Sequence, residues 1–286
     1  MRLLSFKYDG KESYGVVEGD GVIDLGRRLG DRYASLRYAL IPAALSEIRK
    51  LCGSARPDYA LDAIEFLPVI PNPDKIVCIG RNYGAHVKEG NREVPEKPML
   101  FPRYPSSHVG HLQPLVRPFV STSFDYEGEI ACVIGREARH VSAARALDFV
   151  AGYTCFEDGS VRDWQRHTDQ VMAGKIFWHS GAIGPWLVTS DEIPDPSKLM
   201  LTTRVNGQQV QHSGADQMIF DIPHLIEYIS TIIDLQPGDI IATGTPEGIG
   251  LRRKPPLFVK EGDTVEIEIS GIGVLRNPVI DEKRPD

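Results

Sequence analysis

Apolar residues in this chain come in short runs broken by Gly, Pro and Asp, a pattern that predicts strands joined by tight turns. RLLSFKYDG and ESYGVVEGDGVIDL near the start read as hairpins. RYASLRYALIPAALSEIRKL has helical composition interrupted at Pro42. Together they predict a small α+β unit over 1–71, ended by the P-N-P linker at Pro71–Pro73. Beyond it, KIVCIG, GEIACVIG, FVAGYTCFE, GPWLVTS, LMLTTRVNG, DIIATG, DTVEIEIS and GIGVLRNPV are strand candidates. The apolar positions of IPHLIEYISTIIDL recur at helical spacing and stop before the turn QPGD. The reading is an α+β chain, mostly β, with a larger unit over 72–286. Its 27 Gly and 21 Pro fit that turn-rich organisation.

Composition narrows the classes of function. The 286 residues carry a net charge of -7, and no basic stretch exceeds Arg252–Lys254, which argues against a nucleic-acid partner. No apolar run approaches the roughly 20 residues of a membrane helix. The N-terminal MRLLSFKYDGKESYG lacks the apolar core of a signal peptide. The 4 cysteines are scattered without a C-x-x-C pair, so reduced thiols and a cytoplasmic setting are expected.

One strand candidate, in FDYEGEIACVIG, combines an apolar run with charge at its mouth. Strand side chains alternate faces, so Glu127 and Glu129 point the same way. Two carboxylates this close repel, and in a buried site either one protonates or a cation neutralises them. On their own they read more readily as solvated glutamates ahead of a strand. A third carboxylate, Asp158, stands where FVAGYTCFE turns, and an adjacent strand would bring it to the pair. Alone it reads as a turn Asp before Gly159. Such an oxygen-rich triad suits Mg²⁺ or Mn²⁺, with Ca²⁺ also compatible, and not zinc, because no Cys/His cluster has metal spacing.

Several motifs occur together in order: CIGRNYGAH (Cys78–His86), DYEGEIACVIG (Asp125–Gly135), EDGSVRDWQ (Glu157–Gln165), Gly174–Lys175, LQPGDIIATGTPEGIG (Leu235–Gly250) and EGDTVEIEI (Glu261–Ile269). In these the chain resembles the fumarylacetoacetate hydrolase family, including its acylpyruvate hydrolase branch, over roughly residues 74–280. The resemblance implies a mixed β-sandwich or roll and a metal held by Glu127, Glu129 and Asp158. It implies a lid with a His86–Glu89 dyad, whose H-x-x-E spacing is otherwise that of a surface helix pair. It further implies that Lys175 reaches the metal site, that Arg162 and Gln165 hold substrate or ligand oxygens, and that Thr245 in TGTPEG receives a carboxylate. Arg162 could instead pair with Asp163 or Glu157. Arg81 and Tyr83 are further substrate candidates.

The expectation is a metal-dependent hydrolase that splits a C–C bond in an acylpyruvate-type 2,4-dioxo acid. Decarboxylation, tautomerisation or hydration of a 2-oxo acid such as oxaloacetate is the alternative, and a non-catalytic metal- and carboxylate-binding domain is a third. A small-molecule acid is the expected ligand, and the resemblance implies a homodimer. Some positions depart from the family pattern. Glu157 replaces an Asn, Arg103 replaces a common Lys, and Gly214–Ala215 in SGADQMIF lack polar side chains. Trp178 and His179 in WHSGAIGP are expected near a distal pocket.

Overall fold

The computed structural model describes residues 1–284. Two sheets hold most of the strand residues. A 12-stranded sheet holds, in order across its middle, Arg2–Tyr8, Gly181–Thr189, Val150–Glu157, Gly128–Ile134, Ile240–Ala242, Ile76–Gly80 and Met99–Arg103. A 5-stranded sheet orders Gln208–Gly214, Met200–Val205, Thr264–Ile269, Gly273–Asp281 and Leu115–Arg117. The second sheet packs on the middle strands of the first, which is the mostly-β α+β architecture expected.

The eight strand candidates all form, with ends shifted by a few residues. Met99–Arg103, Leu115–Arg117 and Gln208–Gly214 were not expected as strands. They are short or polar, and pairing with a neighbour decides them more than their own pattern does. Pro42 does not interrupt a long helix. It opens a new one, Pro42–Cys52, after the short turn Leu36–Ala39, where its missing N–H costs nothing. The helix Ile222–Ile232 starts as its sequence suggests, with the Asp221 side chain accepting from the His224 N–H.

The unbroken apolar run of Gly128–Ile134 follows from burial of both faces. Ile130, Cys132 and Ile134 pack toward the second sheet. Ala131 and Val133 face the opposite way, in a cluster with Phe156, Ile183 and Ile240. Leu36, Ala39, Leu40 and Ile48 from the N-terminal helices close that cluster. The N-terminal strand joins the same sheet, pairing Arg2 with Val188 and Leu3 with Leu187. Residues 1–71 thus supply the cover for one face of the central strands.

Gly128 shows why the acidic pair is spaced by glycine. It lies on the face toward the second sheet, where an added Cβ would come within 2.1 Å of Thr203 Oγ1 and 3.3 Å of Ile267 Cγ1. Side chains of the second sheet therefore rest directly on the Gly128 backbone, beneath the acidic side chains. Gly128→Ala should destabilise the protein by about 2 kcal/mol through overpacking. Adding Thr203→Ala should recover most of that loss in urea denaturation. No recovery in the double variant would mean that the contact is not what constrains residue 128.

Candidate metal centre and its cavity

The antiparallel register Gly128↔Glu157 and Glu129↔Phe156 brings the ends of two strands together. Alternation then sets Glu127, Glu129 and Asp158 on one face and Glu157 on the other. The Asp158 N–H donates to the Glu127 carbonyl at 2.9 Å. All three carboxylates are buried, and each offers an oxygen within 4.8 Å of the others. The triad read from sequence is therefore assembled in space.

Three buried cations surround it. Lys175 Nζ donates to Glu127 Oε2 at 2.6 Å and to Asp158 Oδ2 at 2.5 Å. Arg162 donates from Nη2 to Glu127 Oε1 at 2.6 Å and from Nε to Asp125 Oδ2 at 2.7 Å. Its Nη1 reaches Gln165 Oε1 at 3.0 Å. Arg103 donates to Asp158 Oδ1 at 2.6 Å, to the Gly159 carbonyl at 3.0 Å and to Ser180 Oγ at 2.8 Å. Arg162 thus binds Asp125 and Glu127 rather than Asp163 or Glu157. It precedes the 3₁₀ turn Trp164–Arg166 and does not share a helix with Gln165.

Arg103 and Asp125 belong to this network but were not among the expected site residues. Asp125 adjoins the acidic pair in D-Y-E-G-E and accepts N–H bonds from Tyr126, Gly250 and Leu251 as well as Arg162. Its neighbourhood was a usable signal. Arg103 lies 55 residues from Asp158, and no local pattern links the two. The Gly244 N–H, which donates to Glu129 Oε2 at 2.8 Å, was equally hidden.

The charges do not balance. Asp125, Glu127, Glu129, Glu157 and Asp158 are buried against Arg103, Arg162 and Lys175, so that with every carboxyl ionised two negative charges would be uncompensated. Burial disfavours the Glu127 charge, but Arg162 and Lys175 outweigh it and hold its carboxyl at about 2. Glu129 is pushed well above the usual carboxylate range, first by burial and then by the charges of Asp158 and Glu127. Burial drives Glu157 up to about 8, and burial also raises Asp125 despite its donors. Burial works against the Lys175 ammonium, yet Asp158 and Glu127 raise it above its ordinary value. Three clustered carboxylate donors with a two-charge deficit fit a hard divalent ion. Glu157 is not a fourth ligand. From the opposite face its Oε1 accepts the Glu127 N–H at 2.9 Å, and its Oε2 is buried without a partner.

A cavity of about 170 Å³ opens onto the triad, lined also by Arg81, His86, Phe101, Arg162, Gln165, Lys175, Thr245 and Ile249. That is room for a small acid. His86 and Glu89 share the helix Gly84–Glu89, as the spacing predicts. His86 Nδ1 lies 3.4 Å from Glu89 Oε2, and both atoms are buried without a hydrogen-bond partner. A shift of a few tenths of an ångström would join them. The Gly248 N–H donates to Glu89 Oε1 at 3.1 Å and anchors the carboxylate from the opposite loop.

Thr245 lines the cavity, but its hydroxyl donates to the Gly128 carbonyl at 2.9 Å and accepts from Gln211 Nε2 at 2.8 Å. Its hydroxyl proton is therefore committed to the protein. Tyr83 is buried with a partnerless hydroxyl and does not line the cavity. Trp178 is 57% exposed, stacks on His179 and also lies outside the lining, against the expectation of a distal pocket there.

Comparison with known proteins identifies the family. Residues 75–280 match the fumarylacetoacetate (FAA) hydrolase C-terminal family. The chain is 42% identical over 238 residues to an oxaloacetate tautomerase, Fahd2a, from Rattus norvegicus, covering 83% of this chain and 76% of that protein. Among solved structures, a 5-carboxymethyl-2-hydroxymuconate delta-isomerase from Mycobacterium smegmatis superimposes with a TM-score of 0.78 at 33% identity, over 99% of this chain and all of that one. A maleylpyruvate hydrolase from Sphingobium sp. SYK-6, in complex with manganese(II) and pyruvate, gives a TM-score of 0.82 at 30% identity over 99% of this chain. From the ordered motifs, the shared fold and the match over most of its length, the chain belongs to the fumarylacetoacetate hydrolase family.

Proposed function

We propose that this protein is a divalent-metal-dependent enzyme that interconverts the keto and enol forms of a small 2-oxo acid, with oxaloacetate as the first candidate. The observation that carries this reading is the buried Glu127–Glu129–Asp158 triad opening onto a cavity of about 170 Å³ that also holds His86. The named activity of the Rattus norvegicus relative supports it.

Keto–enol exchange needs one proton moved from carbon to oxygen, with no bond to carbon broken otherwise. Glu127, Glu129 and Asp158 would hold Mg²⁺ or Mn²⁺, whose Lewis acidity stabilises the negative charge that develops on the 2-oxo oxygen. His86 takes the proton from C3 and returns it to the enolate oxygen. Glu89, fixed by the Gly248 N–H, orients the imidazole and offsets the charge it gains. Lys175, fixed between Glu127 and Asp158, adds positive potential on the same side.

C–C hydrolysis of an acylpyruvate is the second reading. The same His86–Glu89 pair could deprotonate water, and the hydrolase from Sphingobium binds manganese and pyruvate on a similar fold.

Oxaloacetate enol, followed by its ultraviolet absorbance with Mn²⁺ present, should ketonise at least about 100-fold faster with enzyme than without. His86→Gln should lose about 100-fold or more in kcat, and Asp158→Asn should lose metal dependence altogether. Release of pyruvate from an acylpyruvate, with no effect on oxaloacetate enol, would replace the tautomerase reading by the hydrolase one.

Metal binding itself should release a proton. The Glu129 carboxyl, pushed well above the usual range by burial and its acidic neighbours, must be ionised to act as a ligand. Because its metal-free value is raised, apparent Mn²⁺ affinity should climb with pH up to that value and level off above it. Calorimetric titration in two buffers of different ionisation heat reads this directly, with about one proton expected per ion bound. Binding without proton release would place the missing charge elsewhere.

A further inference from the structure

The cations nearest the triad are already engaged by protein carboxylates, Arg103 with Asp158, Arg162 with Asp125 and Glu127, and Lys175 with Glu127 and Asp158. Farther out, four more arginines line the same cavity: Arg81, Arg92, Arg166 and Arg252. They come from four separate segments. Arg81 follows the strand Ile76–Gly80, and Arg92 lies beyond the helix Gly84–Glu89. Arg166 ends the turn Trp164–Arg166, and Arg252 ends the turn Gly250–Arg252.

Among the described residues, none of these four has a carboxylate oxygen within 4.0 Å. Arg252 has only a long contact from Nη2 to the Gly90 carbonyl, at 3.5 Å. Arg81 is half-buried and adopts a left-handed backbone with φ of 58°, a conformation that costs energy for a residue with a Cβ. Burial and the Arg92 charge both hold its guanidinium below the ordinary value. Like charges gathered at one cavity repel one another unless an anion enters between them.

We infer that Arg81, Arg92, Arg166 and Arg252 form a rim that receives a second carboxylate of the substrate, making the site selective for 2-oxo dicarboxylic acids over 2-oxo monoacids. This rests on the reading that the 2-oxo acid end of the substrate lies at the triad. The inner cations are committed to holding ligands, so a distal carboxylate finds its partners at the rim. Guanidinium groups suit that task because they donate to carboxylates in pairs. The rim arginines set which acid binds, and the triad and His86 set what happens to it.

The test uses two unreactive 2-hydroxy acids that differ by a carboxylate in place of a methyl group, L-malate and (S)-2-hydroxybutanoate. Each is titrated by calorimetry into the Mn²⁺-loaded protein. Malate should bind at least about tenfold more tightly, and its advantage should shrink as ionic strength rises. In Arg92→Ala, Arg252→Ala and Arg81→Asn the advantage should fall by about threefold or more, with 2-hydroxybutanoate binding unchanged. Asn tolerates the left-handed backbone at residue 81, and the other two side chains are exposed, so folding is preserved. Equal binding of the two acids by the unaltered protein, or an advantage unmoved in all three variants, overturns the rim. Turnover of oxaloacetate enol, measured on the same samples, judges the proposed reaction separately. A malate advantage that depends on the arginines, in protein without turnover, supports the rim and defeats the tautomerase reading.

Discussion

The constraint on which this structure turns is an excess of buried negative charge. Burying a carboxylate without a partner costs several kcal/mol, and the chain does so at the meeting of two strands. Arg103, Arg162 and Lys175 offset most of that cost through short charge-assisted hydrogen bonds. The remainder is left as a demand for a divalent cation, expressed in the upward push on Glu129. A site balanced by protein cations alone would have no use for a metal. One with no cations would hold its acids too weakly to keep them in place.

That site needs a rigid floor, and both sheets contribute to it. Gly128 lets the Thr203 and Ile267 side chains of the second sheet pack against the backbone under the acidic pair. The N-terminal helices cover the opposite face of the same strands. Glu157, from the far face, fixes the backbone N–H of Glu127. The ligands are thus held by strand pairing, sheet packing and hydrogen bonds at once, the preorganisation that electrostatic catalysis requires. His86 and Glu89 stand apart on a short helix after a strand, anchored by one N–H from Gly248. The clustered acids sit on paired strands, and the His86–Glu89 pair sits on a separate helix.

The family resemblance constrains chemistry more than substrate. A tautomerase, an isomerase and a hydrolase all stand among the proteins similar to this chain. Each activity is served by stabilising negative charge beside a carbonyl. In this chain the cavity at the triad is rich in arginine.

The sequence by itself determined most strands of the central sheet, the amphipathic helix and, through the family resemblance, the three acids that meet at the site. Those signals are local: a period of two, a period of 3.6, a turn residue, two acids on one strand face. It also determined that His86 and Glu89 share a helical face. Only the tertiary structure decided the partners of the charges. Arg103 meets Asp158 across 55 residues, and Lys175 meets Glu127 across 48. Arg162 chose Asp125 and Glu127 over its sequence neighbours, Glu157 turned to the opposite face, and the Thr245 hydroxyl was spent on the backbone. Pairings of this kind depend on which strands lie side by side. Strand order is fixed by the packing of whole sheets, and no short stretch of residues encodes it.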